Sequence, residues 1–282
     1  MELRLVLIVL GALLWPVGCS ATELSQAKAL EVGVVPYSSA RTMVVTYEPL
    51  RKYLAQSLAR PVELYTAPGF KAFQVNSVRG DFDLIITAAH FARILEMENG
   101  YIALARFSAG GRGLITVSRD SRIQRLADLR GRKVAVPDRL SLATVISVEY
   151  MKQHGLQPSV DFQIVEVPSF NAAIQAILRG DAAAAISAPG PLAQLPEDMR
   201  NSVRTLADSG ECLGLVFLAH PRLSESETAR LKHQILLFGK APEGLKFLSD
   251  TGFGGLLPVT VGGLRRIDPY VPETKRLLEL MP

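Results

Sequence analysis

Residues that could do chemistry are few in this chain, and they are far apart. Its 282 residues hold two cysteines, Cys19 and Cys212, and four histidines. No Cys-x-x-Cys, His-Glu-x-x-His or Gly-x-Ser-x-Gly run occurs. Neither a dithiol redox centre, a zinc hydrolase nor a serine nucleophile on a strained turn is predicted. Asp138 and Glu211 are single carboxylates with no evident acid–base partner in sequence. Nothing in the spacing joins Lys71, His90 and Cys212, and scattered histidines do not make a metal site. No enzymatic activity, cofactor or metal is therefore expected.

Small hydroxyl residues, by contrast, recur at the ends of short apolar runs. The first part of the chain offers Pro36-Tyr37-Ser38-Ser39, Gly69-Phe70-Lys71 and Thr87-Ala88-Ala89-His90. The second part offers Asp138 to Thr144, Ser169-Phe170-Asn171 and Ser187-Ala188-Pro189-Gly190. A Ser or Thr before a helix usually caps it and does nothing more. The same helix starts also present unpaired N–H groups and the positive dipole end, which suit an anion. Six such loops on the same edges of two sheets predict a ligand cleft. Its candidate lining is Tyr37, Ser38, Ser39, Phe70, Lys71, Thr87, His90, Ser141, Thr144, Phe170 and Ser187, with the three aromatics as apolar walls.

The elements that would position these loops alternate strand and helix. Val32–Val35, Val62–Tyr65, Leu84–Ile86 and Ile102–Ala105 are brief β-branched or aliphatic runs that fit strands buried on both faces. Between them, Val44, Tyr47, Leu50, Leu54 and Leu58 fall at helical spacing, and Lys71–Arg79 and Phe91–Glu98 read likewise. The second part repeats the order: Val134–Val136, helix 142–154, Gln163–Val167, helix 171–179, Ala183–Ser187. This alternation argues an α/β fold with right-handed crossovers.

An internal match sharpens that reading. Pro68, Phe70, Ala72, Arg79, Gly80, Asp81, Ile86 and Ala88 recur 100 residues later as Pro168, Phe170, Ala172, Arg179, Gly180, Asp181, Ile186 and Ala188. Each copy predicts a turn, a helix stopped by glycine, and a strand, so two lobes built alike are expected. Arg-Gly-Asp here lies between a helix and a buried strand, so an adhesion loop is not predicted.

The first 21 residues read as a signal segment: Arg4, an apolar run from Leu5 to Trp15, then Gly18-Cys19-Ser20-Ala21. The run is shorter than the roughly 20 residues a spanning helix needs. Val17-Gly18-Cys19-Ser20 resembles a lipobox, with cleavage before Cys19 and lipidation of that residue. A rival cut after Ala21 would release a soluble protein. Net charge is a mild +4, and basic residues are scattered without interleaved aromatics, so nucleic-acid binding is not expected.

Leu30-Glu-Val-Gly-Val-Val-Pro-Tyr37, the segment 48–58, Arg79-Gly-Asp-Phe-Asp83 and Asp128-Leu-Arg-Gly-Arg-Lys-Val-Ala-Val136 resemble the phosphonate-type substrate-binding proteins of ABC transporters. The resemblance implies a type II periplasmic binding fold, two Rossmann-like lobes joined by two crossing strands. The expected division is residues 22–115 and 215–282 for the first lobe and 116–214 for the second. It implies a monomer in the periplasm, held by lipid at Cys19 or free, that closes on a small oxyanion and presents it to an ABC permease. Ser141-Leu142-Ala143-Thr144 stands where many relatives have Ser-Thr-Ser-Gly, and His90 where an aromatic is common. Some relatives serve membrane sensor kinases instead, including arsenite sensors that use a cysteine, so Cys212 keeps a sensing role as the alternative.

Overall fold

The computed structural model describes residues 28–260 and 262–280. The leader and Cys19, including the lipidation reading, lie outside the described residues. Among those described, no helix is long and apolar enough to cross a membrane.

The chain begins with β1 (Leu30–Val34), α1 (Ala40–Leu58), β2 (Val62–Tyr65), α2 (Phe70–Arg79), β3 (Leu84–Ala88), α3 (Ala89–Asn99) and β4 (Ile102–Phe107). It continues through β5 (Gly111–Ser118), β6 (Arg132–Val136), α4 (Leu142–Gln153), β7 (Phe162–Glu166), α5 (Phe170–Arg179) and β8 (Ala184–Ser187). After the short helices α6 (Pro189–Ala193) and α7 (Glu197–Asn201) come β9 (Val203–Cys212) and β10 (Leu215–Ala219). The last stretch is α8 (Glu225–Phe238), α9 (Pro242–Thr251), β11 (Leu256–Pro258), a 3-10 helix at Gly263–Tyr270 and α10 (Val271–Leu280).

These strands form two sheets, in the orders β11-β4-β10-β3-β1-β2 and β7-β6-β8-β5-β9. In the first, β1 pairs parallel with β2 and β3, while β10 runs antiparallel between β3 and β4. In the second, β6 pairs parallel with β7 and β8, and β5 runs antiparallel to β8 and β9. Helices cover both faces of each sheet, which is why the central strands are largely apolar. The expected α/β, two-lobed fold is the one observed.

Sheet membership fixes where the chain changes lobe. It leaves the first sheet after Phe107 and enters the second at Gly111, then returns between Cys212 and Leu215. The division drawn from sequence put residues 111–115 with the first lobe. All of β5 instead pairs with β8 and β9, so the first crossing moves to Ser108–Gly110. Both crossings pass backbone against backbone. A Cβ on Gly214 would stand 2.6 Å from the Ala109 carbonyl oxygen, and one on Gly110 2.6 Å from that of Cys212.

The repeated sequence frame is a repeated structure. Helices α2 and α5 have the same length and end on Gly80 and Gly180, both at φ 82°, a left-handed conformation that costs a residue with a Cβ about 1–2 kcal/mol. Each Arg of the triplet donates to its own Asp at 2.8 Å, Arg79 Nε to Asp81 Oδ1 and Arg179 Nε to Asp181 Oδ2. The triplet is a local clamp on a helix stop.

Candidate functional site

The candidate residues all lie where strands run out into helices. Ser39 begins α1, and Phe70 and Lys71 form the first turn of α2. Thr87 ends β3 and His90 opens α3. From the second lobe, Ser141 begins α4, Thr144 lies in its first turn, Phe170 opens α5 and Ser187 ends β8. The two sets of edges meet where His90 Nε2 lies 2.9 Å from the Leu140 carbonyl oxygen.

The set divides into an inner and an outer group. Thr87, His90 and Ser187 have no exposed surface, and Ser141 and Thr144 almost none. Tyr37, Ser38 and Ser39 are exposed, and Phe70, Lys71 and Phe170 are half-buried. The outer group is open to solvent, while the inner group is packed away from it. In the inner group, Leu140, Leu142 and Val145 pack against first-lobe residues such as Val216 and Phe91.

Capping explains part of the pattern. Ser39 Oγ accepts from Thr42 N and pairs with Thr42 Oγ1 at 2.8 Å, and Ser141 does the same with Thr144 N and Oγ1, also at 2.8 Å. Ser169 caps α5 through Ala172 N. These hydroxyls are thus engaged in holding their own helices. By contrast, α2 starts at Gly69 and α3 at Ala88, and neither has a side-chain cap. In α3 the first N–H, that of Ala89, donates instead to the Gly214 carbonyl oxygen at 2.9 Å. Lys71 adds a cation to the first turn of α2.

Burial sets the protonation of the site. His90 is held down to about 4 by desolvation, so its ring is neutral. A carbonyl can only accept, so Nε2 carries the proton and donates to Leu140. Its Nδ1 has no partner, and neither have the Thr87 and Ser187 hydroxyls. Tyr37 is 37% exposed as a whole residue, yet its hydroxyl donates to Tyr47 Oη at 3.3 Å. Burial pushes that phenol up to about 12. Asp138, beside the start of α4, is raised by desolvation and accepts from Leu140 N at 2.6 Å. Cys212 is a free thiol at the return crossing. Desolvation, with the Glu211 carboxylate beside it, pushes it up to about 12, so it is neither a thiolate nor an activated nucleophile.

Sequence reasoning placed Leu140 in a candidate loop and Tyr47 on a helix without assigning either a part in the site, and it did not single out Phe253. Phe253 packs edge-on to Tyr37 with centroids 6.1 Å apart and covers Phe107 at the crossing. Leu140 acts through a main-chain carbonyl, which no side-chain motif could reveal. Tyr47 sits two turns into α1 behind the loop that carries Tyr37, and Phe253 comes from the loop after α9, distant in sequence. A separate groove of about 500 Å³ lies at the opposite edge of the first sheet, lined by Lys28, Arg60, Asp83, Arg222, Glu227 and Arg230. Two of its cations are paired, Arg222 Nε with Asp83 Oδ1 at 2.7 Å and Arg60 with Glu227, and it is remote from the cleft. Among the described residues no cluster of three metal-ligating side chains forms.

Two sheets of alternating β and α elements, exchanged through paired crossings and meeting at their carboxyl edges, define a two-lobed periplasmic binding protein. The chain belongs to the family described as ABC transporter, phosphonate, periplasmic substrate-binding protein, which it matches over residues 32–261. Its fold is similar to that of a binding protein component of an ABC phosphonate transporter from Pseudomonas aeruginosa (16% identity, 89% of this chain and 88% of that one, TM-score 0.75). It is similar also to PhnD1 from Prochlorococcus marinus in complex with methylphosphonate (14% identity, 88% and 99%, TM-score 0.76). A histidine kinase sensor domain with similarity to periplasmic binding proteins shares the fold (18% identity, 80% and 96%, TM-score 0.57). No curated protein matches the chain significantly in sequence.

Proposed function

We propose that this chain is the receptor of an ABC importer and closes on a small oxyanion such as a phosphonate, phosphite or phosphate, which it delivers to an inner-membrane permease. The observation that carries this reading is the uncapped start of α2, with Lys71 in its first turn, at the mouth of the cleft. A helix N-terminus without a side-chain cap, its dipole and a cation together favour a negatively charged oxygen. Tyr37, Ser38 and Ser39 would complete the rim, and Phe70 and Phe170 would enclose the ligand's apolar part. Thr87, His90, Ser141, Thr144 and Ser187 would act as the packed floor behind it. We read the protein as monomeric and, through Cys19, lipid-anchored on the periplasmic side.

The kinase-sensor alternative gains nothing from Cys212, whose burial keeps it a neutral thiol. The test is a thermal-shift series with phosphate, phosphite, methylphosphonate, methanesulfonate and arsenite. A ligand at 100 times its Kd adds about 2.7 kcal/mol, or roughly 5–10 °C in Tm for a chain of this size. Tyr37→Ala and Lys71→Ala should each remove most of that shift. A folded protein that responds to none of the five would overturn the oxyanion reading.

A further inference from the structure

The net charge of the chain is mild but unevenly placed. Residues 119–133 hold six cations and two carboxylates, an excess of four that equals the formal net charge of the whole sequence. The segment leaves β5 at Ser118, beside the start of β9, and enters β6 at Arg132, beside the start of β7. It therefore runs along the edge of the second sheet opposite the one that carries Ser141 and Ser187. All six cations are exposed. Arg125 pairs with Asp128 at 3.5 Å and Arg130 with Asp161, while among the described residues Arg122, Arg132 and Lys133 have no ion-pair partner. Beside this strip stands a bare apolar side chain. Val160 is 83% exposed, more than any other large hydrophobic residue described. Its turn is tied internally and to the strip: Gln157 N donates to Asp161 Oδ2 at 2.8 Å, and Gly131 N to the Asp161 carbonyl oxygen at 2.6 Å.

We propose that this pole of the second lobe is a membrane-docking surface, where the cations meet anionic phospholipid headgroups and Val160 enters the interface beneath them. Basic residues around an exposed apolar one match such a surface at both depths, charge outside and hydrocarbon below. An acidic protein surface would use the cations without needing the bare valine. The candidate cleft lies at the other end of the lobe's strands, so docking leaves it open to ligand. Docking would also keep the receptor at the membrane that carries its permease. This inference depends neither on which ligand is bound nor on whether Cys19 carries lipid.

The test is co-sedimentation of the leader-free chain with vesicles of equal parts phosphatidylglycerol and phosphatidylcholine, and with vesicles of phosphatidylcholine alone. The parent should bind the first and not the second. It should come off between about 0.01 M and about 1 M salt, as the screening length falls from about 30 Å to about 3 Å. Each basic residue near such a surface adds roughly fivefold to partitioning, so Arg122→Gln with Lys133→Gln should lower it about twenty-five-fold. Arg122→Lys with Arg132→Lys should leave it unchanged, which separates charge from structural loss. Lys240→Gln with Lys246→Gln, a matched change at exposed positions of the first lobe, should leave it unchanged too. The leader-free chain has no tryptophan, so Val160→Trp reports on its own surroundings. Its emission should shift to the blue on the anionic vesicles, and that of Val45→Trp on the first lobe should not. The docking surface is refuted if the parent does not bind, binds both vesicles alike, or stays bound in high salt. It is refuted equally if the two glutamine pairs lose binding together, if the lysine pair loses it, or if the two tryptophan variants respond alike.

Discussion

At the scale of single residues, His90 is the group whose behaviour the fold constrains most. Its ring is fully buried, and desolvation holds it near 4 against an ordinary value of 6.5. The unfolded chain therefore binds a proton that the folded chain refuses between those two values. Stability from this residue is complete above pH 6.5 and is lost as the pH falls towards 4, by about 2 kcal/mol between pH 7 and pH 5. His90→Phe should flatten the Tm against pH curve over that interval. If the variant and the parent lose stability in parallel between pH 7 and pH 5, the buried neutral ring is not the cause.

At the scale of elements, the twin helix stops offer a matched comparison. A Cβ on Gly180 would meet nothing within 4 Å, so Gly180→Ala should cost only the left-handed strain, about 1 kcal/mol. A Cβ on Gly80 would also stand 2.7 Å from His220 Nε2, so Gly80→Ala should cost more. Urea denaturation of the two variants reads the difference directly, and equal losses would show that the histidine yields freely. These two stops, and the helices and strands around them, were legible in sequence because a repeated frame of Pro, Phe, Arg-Gly-Asp and apolar runs is local information. The crossing strands were not. Gly111 to Ser118 reads as a strand in either lobe, and only its pairing with β8 and β9 places it. The loops at the strand ends were marked in sequence by their hydroxyls. Their division into exposed and buried groups was not, since it depends on Leu140 and Val145 packing with residues distant in sequence, such as Phe91 and Val216.

At the scale of the whole molecule, the shared apolar cluster ties the lobes into one unit. Leu140 and Val145 from one lobe and Val216, Leu218, Leu264 and Ile267 from the other are all buried together. Lobes linked only by two crossings would tend to unfold separately. Here calorimetry should record a single transition, with calorimetric and van't Hoff enthalpies equal. Two resolved peaks would mean that the lobes melt independently and that the cluster couples them weakly.

The place of β10 has a consequence for the order in which the protein can be made. The strand arrives only after the whole second lobe has been synthesised, yet it sits between β3 and β4 in the middle of the first sheet. Until residue 219 emerges, β3 and β4 have a gap between them with open hydrogen-bonding edges. The second lobe is one continuous run and can complete its sheet early, whereas the first must wait for its centre. A chain bound for export gains from that delay, because the half that leads through the membrane cannot fold before the rest has been delivered.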